Sequence, residues 1–193
     1  MVYFICAFEA EARALIEHYK LHKDPNRPYP LFFNKEMIIL VSGMGPKNAK
    51  KAVEYLLSQY LPTHDDILIN LGICAAQEKF PIGSLLHVQS LQNESELIEL
   101  SVSDSVLKKV ACFSSEQVLT QASGTDVAEM EAIAVYETAS ASFTPSKISI
   151  LKVVSDHFKP FKIKKQFIID LIKPHVKEID AHIKQTQGET DDR

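Results

Sequence analysis

The stretch Val2–Phe8, VYFICAF, runs directly into Glu9-Ala10-Glu11, and its reading decides the fold. It is too short for a helix and lacks the alternation of a strand with one wet face. It predicts a strand buried on both faces, the pattern of a parallel sheet covered by helices. Glu9–Leu21 then has helical composition. The same unit recurs along the chain. Glu36–Ser42, EMIILVS, is a second apolar run, closed by Gly43-Met44-Gly45. Pro46 opens the following helix in its favoured first-turn position, with Ala49, Val53, Leu56, Leu57 and Tyr60 on one face.

Asp66–Ala76, Ser84–Leu91, Val110–Phe113 and Lys147–Ser155 (KISILKVVS) read as further strands. Asp24–Pro30 is proline-rich and reads as a loop. Asp126 with Glu129 three residues on forms a capping-box pattern, which predicts a helix to about Ala141. Phe161–Gln185 predicts a long amphipathic helix, broken or kinked at Pro174. Strand–helix alternation of this kind predicts an α/β protein. The expected form is a three-layer α/β/α sandwich with a central mixed, mostly parallel sheet. One domain is expected over residues 1–185, with a disordered polar tail at 186–193.

The bulk numbers exclude several classes. A chain of 193 residues that is 46% hydrophobic has enough apolar mass for one folded core. Its formal net charge of -4 gives no electrostatic case for a nucleic-acid partner. No apolar run approaches the ~20 residues that cross a bilayer, so no membrane partner is expected. The apolar N-terminus lacks a basic start and meets two glutamates at once, unlike a signal peptide. A cytoplasmic location is the expectation. Cys6, Cys74 and Cys112 sit in apolar runs without metal-ligand spacing, so buried thiols are expected and no metal site.

In such sheets ligands bind at the carboxyl ends of strands. Acidic residues fall there: Glu9 and Glu11 after the first strand, Glu131 in the first turns of the Asp126 helix, and Asp156 after Val154-Ser155. Each has a purely structural reading, as a helix-dipole partner or a turn cap. Brought together, they fit cleavage of a glycosidic bond. That reaction wants an acid on the leaving group, a base on water, and support for an oxocarbenium-like sugar. Ser42-Gly43-Met44-Gly45-Pro46 reads either as an anion or ribose site at a helix N-terminus or as a tight turn. Ser114-Ser115-Glu116 leans to a turn, and His157 abuts Asp156, where it could modulate that carboxylate or line a pocket.

The pieces Ile5-Cys6-Ala7-Phe8-Glu9-Ala10-Glu11, Ser42-Gly43-Met44-Gly45, Ile69-Asn70-Leu71-Gly72, Glu129-Met130-Glu131-Ala132 and Val154-Ser155-Asp156 follow one another in a known order. Over roughly residues 2–160 the chain resembles the purine nucleoside phosphorylase and nucleosidase superfamily. It is most similar to methylthioadenosine/S-adenosylhomocysteine nucleosidases, with futalosine hydrolases as relatives. The resemblance implies that Glu11 activates the attacking water and that Asp156 serves as the acid on purine N7. It implies that Glu131 holds the ribose hydroxyls with Met130 against the sugar, and that Phe8 lies near the ribose. Val118 and Leu119 would line the base pocket, with Ser155 and Ile73 also at the substrate. The implied partner is a small purine nucleoside, the implied assembly a homodimer, and no cofactor is implied.

The chain departs from the family pattern in places. Gly72-Ile73-Cys74-Ala75-Ala76 stands where Gly-Ser-Ala-Gly-Gly is usual, so Ile73 replaces a hydroxyl near the attacking oxygen. His157-Phe158-Lys159-Pro160 replaces a small residue and second Asp, Lys152 stands in for an arginine, and the segment between Leu91 and Val110 is short. Only Arg13, Arg27 and Arg193 are available to hold phosphate, which favours water as the nucleophile. A phosphate-dependent phosphorylase, with Lys47 or Lys152 supporting the anion, stays open. So does a nucleoside-binding protein of this fold that has lost turnover.

Overall fold

The computed structural model describes residues 1–102, 106–122, 124–159, 162 and 164–188. Strand β1 (Val2–Cys6) lies between β4 (Met37–Val41) and β5 (Ile67–Ala76), parallel to both. Strand β10 (Ile148–Asp156) continues this parallel set on the far side of β5. At the other edge, β2 (His22–Asp24) and β3 (Leu31–Phe33) form an antiparallel hairpin against β4, with the proline-rich loop as its turn.

Successive residues of β1 explain its uninterrupted apolar run. Tyr3 and Ile5 pack with helix α2 (Pro46–Gln59) and helix α3 (Ala132–Ala139). Val2, Phe4 and Cys6 pack on the other face with α1 (Glu9–His18), α4 (Lys165–Ile172) and α5 (Val176–Gln187). Both faces are dry, so no polar alternation is possible. The helices therefore form layers on both sides of the sheet, as expected.

The sheet itself is less parallel than expected. Strand β6 (Leu85–Gln92) runs antiparallel to β10 and carries β7 (Leu97–Glu99) on its edge. Strand β8 (Lys108–Ser114) is parallel to β6, and β9 (Val127–Glu129) is parallel to β8 but antiparallel to β5. Among the described residues the ten strands make as many antiparallel as parallel pairings. Because β5 pairs with both β9 and β10, the path β5-β10-β6-β8-β9 closes on itself. Residues Cys74, Val88, Val110, Cys112 and Val127 from this ring join one apolar cluster.

The Asp126 helix and the bounds of the C-terminal segment need correction. Asp126 does not cap a helix. Its carboxylate accepts from the Ala111 amide at 3.1 Å and pairs with Lys79 at 2.6 Å. Residues Val127–Glu129 are strand, because only a strand there closes the ring, and the helix begins at Ala132. The C-terminal helical segment is broken at Pro174 as expected, into α4 and α5 joined by a 3₁₀ turn over Lys173–His175. Its expected start at Phe161 lies outside the described residues, and α4 begins at Lys165. Helix α5 reaches Gln187 and buries Thr186, so the polar tail cannot begin at 186; residues 189–193 lie outside the described set.

All three cysteines are buried and free, as expected from their apolar settings. Among the described residues no helix is long and apolar enough to cross a membrane.

Phe4 is wholly buried at the centre of the parallel set. Phe4→Ala should cost about 3–5 kcal/mol of unfolding free energy in urea titration, since the surrounding sheet cannot collapse into the void.

Candidate active site

A cavity of about 800 Å³ opens beyond the ends of β1, β4, β5 and β10. All nine residues singled out from the sequence line it: Glu11 and Asp156, Phe8 and Ile73, Val118 and Leu119, Met130, Glu131 and Ser155. The parallel strands of the fold end here, so side chains far apart in sequence meet. Phe8, Met44 and Val118 are partly exposed at its rim. Residues Lys165, Ile168 and Ile169 of α4 complete the wall, a contribution the sequence reading did not foresee.

Glu11 is the third residue of α1 and is buried. One carboxylate oxygen accepts from the Phe8 amide at 2.9 Å, reaching back over the helix start as the acidic half of a capping box does. The other accepts from the Ile73 amide at 3.0 Å. Gly72 is what allows this approach: a Cβ there would lie 2.9 Å from Glu11 Oε1. Burial raises the Glu11 carboxyl above its ordinary range, and the two amides and Lys152 only partly oppose this. Thus the residue does have the structural role a first-turn glutamate usually has, and it also faces the cavity.

Glu131 is the N-cap residue of α3 rather than a member of its first turns. Its Oε1 accepts from the Gly45 amide at 2.7 Å, at the start of α2. Gly45 has a φ of 93°, a conformation glycine adopts without strain, and this turns the amide toward the carboxylate. Burial first, and then the neighbouring Glu129 carboxylate, push Glu131 up to about 7.

Glu129 was missed as a site residue, because its spacing from Asp126 satisfied a capping pattern. It lines the cavity and forms the centre of a buried network. Its Oε2 pairs with Lys152 Nζ at 2.8 Å, both side chains being 1% exposed. It accepts from the Ser114 hydroxyl at 2.7 Å and from the amides of Glu131 and Ala132 at 2.9 Å each. Ser114 is therefore a network member in β8 and not a turn residue. Burial is the largest influence on the Glu129 carboxyl and would raise it, but Lys152, the Ser114 hydroxyl and the Glu131 amide together hold it below the usual range. For Lys152 the balance is likewise won by the glutamates, which raise the ammonium despite burial. The available signal was Lys152 itself: one lysine inside an otherwise apolar strand demands a buried anionic partner.

Asp156 closes β10 just after a register shift against β5, between Val154 and Asp156. Its Oδ2 accepts from the Ser155 hydroxyl at 2.8 Å and its Oδ1 from the Lys159 amide at 3.2 Å. The His157 ring lies 3.1 Å from the Ala76 carbonyl and does not line the cavity.

Of the cationic candidates for phosphate, Arg13 alone among the described residues lines the cavity. Arg13 is paired with Glu9. Arg27 pairs with Asp24 at 2.8 Å in the proline-rich loop, away from the cavity. Lys152 serves Glu129, Lys47 does not line the cavity, and Arg193 lies outside the described residues. Five carboxylate residues line the cavity against Arg13 and Lys165. Such a wall presents carboxyl groups of differing proton affinity, able to give and take protons.

Solved structures with this fold include the 5'-methylthioadenosine nucleosidase of Arabidopsis thaliana, with a TM-score of 0.75 and 15% identity over 100% of this chain and 96% of that one. The 5'-methylthioadenosine/S-adenosylhomocysteine nucleosidase of Campylobacter jejuni matches with a TM-score of 0.74 and 15% identity over 97% and 98%. A futalosine hydrolase mutant of Helicobacter pylori matches at 0.74 and 13% over 95% and 98%. At these identities the likeness establishes the shared fold. No protein-family model and no curated protein matches the chain by sequence.

Two measurements check the network. Lys152→Met leaves Glu129 buried without its cation, and should destabilise the fold by about 3–5 kcal/mol in urea titration. Glu131, raised from an ordinary 4.5 to about 7, holds its proton more tightly folded than unfolded. Stability is therefore lost as pH rises through that window, by roughly 3 kcal/mol when complete. Glu131→Gln should melt higher than the parent at pH 8, with the difference vanishing toward pH 4.

Proposed function

We propose that this protein hydrolyses the N-glycosidic bond of a purine nucleoside of the adenosine type. The observation that carries this reading is the convergence of Glu11, Glu131 and Asp156 on one cavity, with Glu11 pinned by two backbone amides. In this reading Glu11 takes a proton from water as it attacks the anomeric carbon. A carboxyl raised by burial suits a base working near neutral pH. Asp156 gives a proton to N7 of the base, which then leaves as a neutral purine. Glu131 accepts from the ribose hydroxyls, with Met130 against the sugar. Phe8, Ile73 and Ser155 contact the nucleoside, and Val118 and Leu119 receive the base. No cofactor enters these steps. The cytoplasmic setting and the homodimer belong to the same proposal.

Water is favoured over phosphate by two features. Carboxylates dominate the charged groups of the cavity wall. In addition, Glu131 already occupies the Gly45 amide at the start of α2, the amide that would otherwise serve an incoming anion. The Gly43-Met44-Gly45 turn thus supports a ribose-binding carboxylate rather than an anion site. Against a purely binding role stands the anchoring of Glu11, which holds a base where a bound sugar would lie.

A panel of purine nucleosides, incubated with and without inorganic phosphate and resolved by chromatography, tests the proposal. Free base and free sugar should form without phosphate. Glu11→Gln and Asp156→Asn should each lower kcat by about 10²–10⁴-fold while the melting temperature is kept. Strict phosphate dependence with ribose 1-phosphate as product would instead identify a phosphorylase. Thermal stabilisation by nucleoside without base release would identify a binding protein.

A further inference from the structure

The chain after Asp156 is unusual in its backbone. Phe158 has a φ of 58°, in the left-handed region. For a bulky aromatic residue this is a genuine outlier, and such outliers persist only where their surroundings enforce them. Two anchors do so here. Phe158 is 7% exposed as a residue, so its side chain is buried rather than free in solvent. On its other side the His157 ring is hydrogen-bonded to the Ala76 carbonyl at 3.1 Å, tying the turn to the end of β5. The result of the left-handed step is that the chain folds back, and the Lys159 amide reaches Asp156 Oδ1 at 3.2 Å.

The preceding residue acts on the other oxygen. The register shift at Ser155 re-aims the end of β10, as bulges do. The Ser155 hydroxyl lies 3.0 Å from the Cys74 carbonyl and 2.8 Å from Asp156 Oδ2. With the single Ser155 proton given to Asp156, both carboxylate oxygens are met by donors within three residues, and the His157–Ala76 contact fastens the turn to β5. An aspartate at a strand end would ordinarily rotate freely about its terminal torsion.

We infer that His157 and Phe158 are positioning residues for Asp156: they lock a strained turn that holds the carboxylate in one orientation toward the substrate base. The inference rests on the proposed role of Asp156. Its consequence is kinetic. Substrate contacts stay in place when the turn is loosened, so binding is retained. Proton delivery, which needs the carboxyl at hydrogen-bonding distance and angle, is lost in proportion to the misplacement.

The test is a comparison of Phe158→Ala, His157→Phe and the conservative Phe158→Tyr with the parent protein, using the best nucleoside from the panel. Phe158→Ala and His157→Phe should lower kcat by about 10-fold or more with KM changed less than about 3-fold. Phe158→Tyr, which keeps the ring that fastens the turn, should restore most of the rate. Melting temperatures taken alongside show that the fold is kept. A parent-like kcat in both loosening variants, or a rise in KM that accounts for the whole loss, would overturn the role. Asp156→Asn separates this from the proposed function. Loss of turnover there with an unaffected Phe158→Ala overturns the positioning role alone, whereas full turnover in Asp156→Asn overturns both.

Discussion

A single buried ion pair, Lys152 with Glu129, organises the centre of this molecule. Each partner would be intolerable alone in its surroundings, since an isolated buried charge costs far more than a fold of this size has to spare. Together they are held at 2.8 Å and nearly sealed from solvent. The pair joins β10 to β9 inside the closed ring of strands. The remaining acceptor capacity of Glu129 is filled by the Ser114 hydroxyl of β8 and by two amides that open α3. One carboxylate thus ties three strands and a helix start to a single point.

The cavity inherits its electrostatics from that point. Glu129 is kept charged by Lys152, and its charge then raises the proton affinity of Glu131 one step further out. Glu11 is raised chiefly by burial and is steadied by backbone amides from two separate elements. The acidic groups therefore occupy distinct environments within one pocket. Separated environments let chemically similar carboxyls divide acid, base and sugar-binding roles among themselves.

Some of this was legible in the residues. The apolar runs of β1, β4, β5, β6 and β10 stand out because strands buried on both faces have no polar alternation to blur them. The first-turn proline of α2 and the helix break at Pro174 were likewise visible, since a missing amide leaves few alternatives. Expectation failed at Asp126–Glu129, where a local capping pattern lost to the demand for a strand that closes the ring. Local signals of that kind describe what a segment could do by itself. They carry no information about an unfilled gap between distant strands.

The sequence by itself determined the layered α/β architecture and the candidates Glu11, Glu131 and Asp156, because hydrophobic periodicity and strand-end position are local properties. It also held a mark of the buried network in the lone lysine of an apolar strand. The tertiary structure alone decided that these residues surround one cavity, that Glu129 is Lys152's partner, and that the sheet, among the described residues, pairs as much antiparallel as parallel. It alone decided that Gly72 and Gly45 make room and hydrogen bonds for two carboxylates. Those outcomes depend on strand register and on the pairing of segments far apart in the chain. The opening run VYFICAF specifies its own burial on both faces, whereas the use made of the glutamates that follow it is fixed only when β5 is laid beside it.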